Sequence, residues 1–278
     1  MFSVEAMSRI LEVSRSGFYD WCSRKASRRT LADCFLIGII REIFEENERT
    51  YGVPRLLKAL RKRGFHLGPK RIKKLMKMGA IQPVSEKKFR VRTTDSDHAL
   101  PVSANLVRRN FHAEQPNQVW VSDITYIRTR RGFVYLCIIM DLYSRRIVGW
   151  ALKPHMRTSL VKSALQSALS QRTVQPWKLI FHSDRGSQYA SRSLREMLRR
   201  HEIVSSMSAK GDCFDNACAE SVFGTIKRER IHHAHYENFI DARIDLFRYI
   251  EGFYNRRRLH SYLGYMSPVD FESSKEAA

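Results

Sequence analysis

The chain has 278 residues, room for one large domain or two modest ones around a real core, and carries 49 Lys and Arg against 28 Asp and Glu, a formal net charge of +21. No globular fold requires that excess, and a field of this sign attracts polyanions, of which nucleic acid is the commonest. Five cysteines without a C-x-x-C pair exclude a disulfide framework or zinc finger, and the longest apolar run, Val134 to Met140, is far short of the ~20 residues that span a bilayer.

Glu5 and Arg9 interrupt the N-terminus, so no signal peptide is expected and a soluble protein of a reducing cytoplasm fits best. In chain order, Val4, Met7, Ile10 and Leu11 recur at helical spacing. Val13 to Gly17 break that pattern, and Phe18, Tyr19 and Trp21 follow in a second short segment. Residues 1–30 therefore suit either the skeleton of a helix-turn-helix or a plain helical hairpin. A longer helix is expected from about Leu31 to Asn47, stopped by Tyr51-Gly52. Pro54 and Pro69 then open two more, burying Leu56, Leu57 and Leu60 in one and Ile72, Leu75 and Met76 in the other. From Arg49 to Lys77 there are 11 Lys or Arg and no acid. Arg55, Lys58, Arg61, Lys62, Lys70, Arg71, Lys73, Lys74 and Lys77 are thus expected to present residues 31–82 to DNA phosphates as a basic helical module.

Residues 83–115, with Lys87, Lys88, Arg90 and Arg92 among prolines and asparagines, lack periodicity and suit an extended linker that orders on DNA. From Pro116 onward the pattern is that of an α/β domain. Strands are expected at Val119–Arg128, Phe133–Asp141 and Arg145–Leu152, then a helix near Ser159–Ser170 and a buried strand at Lys178–His182. A helix at Leu194–Arg200, a strand at Ile203–Met207, and long helices at Asp215–Arg230 and Ile240–Tyr254 complete it. Three meandering strands followed by alternating helix and strand give a mixed sheet, and no internal repeat is visible.

Phosphodiester chemistry at neutral pH needs an activated oxygen nucleophile and charge relief on the phosphate. Two Mg²⁺ ions roughly 4 Å apart supply both, and such hard ions need carboxylate oxygens. Asp123 lies within the first strand, Asp184 directly follows the strand ending at His182, and Glu220 lies on the long helix. Spacing is weak support: with 12 Asp and 16 Glu, an Asp and a Glu with 35 residues between them arise by chance roughly 0.7 times, and Asp215 and Glu251 do so. Context separates the pairs, because Asp184 ends a buried strand, where α/β sites gather, while Asp215 opens a helix, where an Asp is usually a cap. At 100° per residue Lys227 falls within about 20° of Glu220, and Asn216 and Gly224 within about 40°. That stripe suits a metal ligand with phosphate contacts, and equally an ordinary Glu–Lys surface stripe. Asp141 reads as a turn residue, His182 as a satisfied structural histidine, His232, His233 and His235 as surface, and Cys213 and Cys218 as packing.

These segments together resemble the second-frame (orfB-type) transposases of the IS-three family of insertion sequences, relatives of retroviral integrases. Val13 to Tyr19 resembles the family's opening helix-turn-helix and Tyr51-Gly52 through Met78 its second helical module. Trp120–Ile124, His182–Tyr189 and Gly211–Glu229 resemble the three catalytic blocks, and Tyr254 to His260 through Gly264 to Pro268 the C-terminal signature. Two departures stand out: Leu259 where a proline is usual, and Gly224 where a lysine often occurs. The resemblance implies an RNase H-like core with a mixed five-stranded sheet over 116–278, preceded by the all-helical region. It also implies a metal-binding triad of Asp123, Asp184 and Glu220 holding two ions of Mg²⁺ (or Mn²⁺), and Lys227 on DNA ends. The activity implied is DNA end cleavage and strand transfer by a homo-oligomer assembled on terminal repeats and target DNA. In that family the complete enzyme is often a frameshift fusion with an upstream frame bearing another helix-turn-helix and a leucine zipper. No heptad zipper is visible here, which fits the catalytic portion, with the upstream-frame product as a partner. A catalytically silent DNA-binding regulator, or a nuclease on the same core, are the alternatives.

Overall fold

Helices α1 (Val4–Ile10), α2 (Arg15–Ser23), α3 (Arg28–Glu46), α4 (Val53–Lys62) and α5 (Pro69–Met78) make up the first of two units, residues 1–82. The computed structural model describes residues 3–84, 100–209 and 217–276. Ser3, Ser14 and Ser27 each accept a backbone N–H from three residues on, at 3.0–3.2 Å, the usual serine N-cap. Ser27 starts α3 three residues before the apolar pattern does. Helices α4 and α5 have no side-chain cap and start instead on Gly52 and Gly68, with proline in the first turn of each. Leu36, Ile40, Ile43 and Phe44 of α3 meet Leu56 and Leu60 of α4 and Ile72, Leu75 and Met76 of α5 in one buried cluster. Each such side chain stabilises the unit by about 1.5–3 kcal/mol. Leu57 is only half-buried, at the edge of the stripe it was expected to share. The first two helices bury almost nothing: Ser8 is the sole buried residue of α1, and α2 has none.

The second unit, residues 83–278, is built on one five-stranded sheet in the order β3-β2-β1-β4-β5. Strands β1 (Val119–Thr129), β2 (Gly132–Asp141) and β3 (Ile147–Lys153) form an antiparallel meander, turning first at Arg130-Arg131. Gly132 takes φ +118 at that turn, a conformation L side chains rarely adopt. Helix α6 (Thr158–Gln171) then crosses over to β4 (Ile180–Ser183), parallel to β1. Beyond it α7 (Ser187–Ala190) and α8 (Arg192–Arg200) lead to β5 (Val204–Met207), parallel to β4. This is the RNase H-like arrangement. Helices α6 and α8 close one core with the sheet, in which Trp120, Ile139, Phe181, Leu160, Leu165 and Leu194 are all buried. Gly149 lets α6 lie flush on β3, since a Cβ there would stand 2.4 Å from the Ala164 carbonyl oxygen.

Helices α9 (Ala217–Glu229), α10 (Phe239–Phe247) and α11 (Pro268–Glu276) complete the unit. The single helix expected over 240–254 divides: α10 passes into a π-helical segment, Arg248–Tyr254, that buries Tyr249, Ile250, Phe253 and Tyr254. The stretch expected to be a linker also departs from expectation over 100–115. There Val107 and Ala113 are buried, the Leu106 N–H reaches Ser206 Oγ at 2.9 Å, and Ser103 Oγ meets Ser205 Oγ at 3.0 Å, so the chain lies along β5. Lys87, Lys88, Arg90 and Arg92, together with Gly211, Cys213, Asp215 and Asn216, lie outside the described residues.

Candidate active site

The pairing of β1 with β4 decides where the two aspartates fall. Val121 stands opposite His182 and Ser122 opposite Ser183 in parallel register. Asp123 and Asp184 are the next residue on each strand, so the register carries both to the carboxyl end of β4, on strands about 4.8 Å apart. Ser122 is fixed from behind: its hydroxyl meets the Tyr189 hydroxyl at 2.9 Å and the Ile138 carbonyl at 2.9 Å. Tyr189, Cys137 and Ser122 form a buried wall. Burial pushes the Cys137 thiol up to about 12 and the Tyr189 phenol well above its ordinary range, so neither ionises near neutral pH.

Asp123 is half-buried, with Oδ1 accepting the Ile124 N–H at 2.7 Å. Its carboxyl is held well above the usual carboxylate range, first by burial and next by the charge of Asp184, with Glu220 adding to the rise and Lys227 opposing it. Asp184 Oδ1 accepts the Gly186 N–H at 3.0 Å, which fixes its rotamer at the end of the strand. Glu220 sits in the first turn of α9, exposed, on a helix whose Ala219, Val222, Phe223 and Ile226 are buried and which packs against β1. One turn-pair later Lys227 is half-buried, its ammonium 5.4 Å from the centre of the Tyr126 ring on β1. Burial lowers its pKa while Asp123 raises it. The far side of the α9 stripe is open, because a Cβ added at Gly224 would meet nothing within 4 Å.

Three acids and one amine from β1, the end of β4 and α9 therefore act on one another electrostatically. Among the described residues no three His, Cys, Asp or Glu side chains stand close enough to hold a metal ion directly. The donor set nevertheless fits a hard dication: a buried carboxyl raised by two neighbouring carboxylates is the charge arrangement a divalent cation relieves.

The rival residues have structural roles. Asp141 is buried, accepts the N–H groups of Asn117 at 2.8 Å and Tyr143 at 3.0 Å, and has its carboxyl raised to about 6 by burial. Buried His182 meets Ser206 Oγ at 2.9 Å through Nδ1. Glu251 accepts the Trp150 indole N–H at 2.9 Å, a structural contact to β3. His232, His233 and His235 are exposed, and half-buried Cys218 receives the Arg145 guanidinium at 2.9 Å. The basic residues of α4 and α5 belong to the first unit. Arg61, Lys62, Lys70, Lys73, Lys74 and Lys77 are exposed there, and Lys58 is half-buried. Arg55 lies over the Tyr51 ring at 5.6 Å, and Arg71 donates to buried Asp33 at 2.7 Å, tying α5 to α3.

Sequence reasoning missed the anchor of α9. Glu229, at its last turn, is buried and accepts two bonds of 2.7 Å from the Arg258 guanidinium and one of 2.8 Å from the Tyr249 hydroxyl. The only signal was Arg258 inside the C-terminal signature, which no local pattern connects to a helix 29 residues away.

A mixed sheet in the order 3-2-1-4-5, with one acid within β1, another just past the end of its parallel neighbour β4 and a third on α9, is the arrangement of the integrase core of DDE-type polynucleotidyl transferases. The integrase core domain family matches residues 113–213 and again 220–275, and the HTH-like domain family matches 32–89. Transposase InsF for insertion sequence IS3fB from Escherichia coli K12 is 41% identical over 278 residues, covering 99% of this chain and 96% of that one. A 31 kDa protein of insertion element IS600 from Shigella sonnei is 41% identical over 266 residues, covering 95% and 97%. The catalytic core domain of HTLV-2 integrase, solved with magnesium, is similar at 16% identity and a TM-score of 0.44, covering 58% of this chain and 99% of that one. The chain belongs to the IS3 family of insertion-sequence transposases.

Proposed function

We propose that Asp123, Asp184 and Glu220 together hold two divalent ions, Mg²⁺ or Mn²⁺, against the phosphodiester at the ends of an insertion sequence. Such ions, when bound, polarise the phosphoryl oxygens and lower the pKa of the attacking hydroxyl. The protein's part is to bring three carboxylates from separate elements toward one point at the carboxyl end of β4. Asp184 is held in its rotamer by the Gly186 N–H, and Asp123, protonated more readily than usual when alone, gives up that proton as cations arrive. Lys227, beside the Tyr126 ring, meets a phosphate of the bound end, and Asn216 is assigned to the same DNA strand. Arg55, Lys58, Arg61, Lys62, Lys70, Lys73, Lys74 and Lys77 hold the DNA backbone, with Arg71 bracing the helix that presents them.

The observation that carries this reading is the parallel register of β1 and β4, which sets Asp123 beside Asp184 at one end of β4, where the like charges of Asp184 and Glu220 raise the Asp123 carboxyl and a divalent cation would relieve them. The same residues, without a covalent protein intermediate, serve both the nick and the later attack of the freed 3′-hydroxyl on target DNA. Handling two ends at once implies a homo-oligomer on DNA, with the upstream-frame product as partner or fusion, in the bacterial cytoplasm at the nucleoid. Asp184→Asn should abolish Mg²⁺- or Mn²⁺-dependent nicking of DNA carrying the element's ends while leaving DNA binding within a few-fold. Undiminished nicking would reject the triad.

A further inference from the structure

The sheet topology gives α6 and α8 the same direction. Strand β3 is parallel to β1 through β2, and β4 is parallel to β1, so α6, leaving β3, and α8, following β4, both start at the carboxyl edge of the sheet. Their facing sides enclose a groove of about 520 Å³. Ser159 and Ser193 line it at that edge, Lys162 and Glu196 midway, and Gln166 and Arg200 at the far end. Lys153, donating to the Ser159 carbonyl at 2.9 Å, Ser163 and His201 complete its polar lining.

The groove's charge is one-sided. Glu196 is the sole acid among the lining residues, and Arg192 engages it at 2.8 Å. That bond, with Arg200 and Arg199 close by, holds its carboxyl below the ordinary range, so it is answered by arginine. Lys153, Lys162 and Arg200 line the same groove. A concave strip of cations and hydroxyls, open to solvent and leading away from the edge that carries the catalytic acids, suits a chain of phosphates better than a compact ligand.

We infer that the α6–α8 groove is a second DNA site, which takes the phosphodiester backbone of duplex lying beyond the bond being cut. Its cations would fix where the flanking DNA lies, independently of base sequence. The inference rests on the transposase reading above, because that reading supplies DNA as the ligand.

The test uses the full chain in EDTA, so that the carboxylates play no part. Binding of a duplex that carries the element's end and runs well past it in random flanking sequence is followed by anisotropy over a range of salt concentrations. Each lost phosphate contact flattens the log–log salt slope by about 0.9. Lys162→Ala with Arg200→Ala should flatten it by about two, with an unchanged melting temperature. Lys162→Arg with Arg200→Lys should restore it, because both retain the charge. Shortening the duplex to the end alone should erase the difference between variant and parent. A slope unchanged in the alanine pair would overturn the groove, as would a loss of slope equal on long and short duplex. A groove that served only free phosphate would show itself as stabilisation of the parent, and not of the alanine pair, by inorganic phosphate with no difference in slope between them, and that too would overturn it. Failure of the parent chain to show any salt-dependent DNA binding would instead bring down the transposase reading, a result distinct from either.

Discussion

At the scale of single residues, Asp123 is the one whose environment says most. A carboxyl raised in the folded chain binds its proton more tightly there than in the unfolded chain. Its cost to stability is therefore absent below the ordinary carboxylate range, grows as pH rises from that range to the folded pKa, and is constant above it. Asp123→Asn should raise the melting temperature of the metal-free chain at pH 7, by roughly 2–4 °C for each kcal/mol of relief, and the gain should vanish by about pH 4. Mn²⁺ should raise the melting temperature of the parent and not of the variant. Thermal scans at both pH values, with and without metal, check it, and a gain that persists unchanged at low pH would contradict the electrostatic cause. Asp184 was legible in the sequence because it follows the end of an apolar run, and Asp123 because it is the one acid inside an apolar strand pattern. Tyr126 and Tyr189 were not, because a cation–π contact and a hydroxyl behind a strand depend on register, which no single segment encodes.

Among the elements, α9 has the heaviest task, since it carries Glu220 at one end and is pinned at the other. Removing one partner from a buried, multiply bonded ion pair costs about 3–5 kcal/mol, because the other charge is left uncompensated. Glu229→Gln strands the buried Arg258 guanidinium and should cost that much in denaturant unfolding. Nicking should fall with it even where the chain stays folded, because Glu220 loses its placement. A loss below 1 kcal/mol would mean that the pair does not anchor the helix. The apolar patterns gave the five strands and most helices to within a few residues, since those elements bury one face each, but not the short α7 or the last helix, α11. They failed over 100–115, where the chain binds β5 through single hydrogen bonds such as Leu106 to Ser206 and leaves no periodic trace. They failed again at Arg248–Tyr254, where a helical apolar pattern continues although the backbone widens into a π turn. The two departures from the family signature proved modest locally: Leu259 is buried, as an apolar residue should be, and Gly224 faces open space.

For the whole molecule, charge and fold divide the work. The first unit supplies a helical module with exposed cations on α4 and α5, and the second a sheet whose carboxyl edge gathers acids. The excess of cations over the chain answers the polyanion it handles, while the acids at the site would be a liability without metal. No helix among the described residues is long and apolar enough to cross a membrane. The most direct measurement is anomalous scattering from crystals of the chain soaked in Mn²⁺. The account predicts manganese bound between the carboxylates of Asp123 and Asp184, with Glu220 turned toward it, and no such signal in Asp123→Asn crystals. Manganese ordered elsewhere while that edge of the sheet stays empty, in protein that nicks DNA, would contradict it.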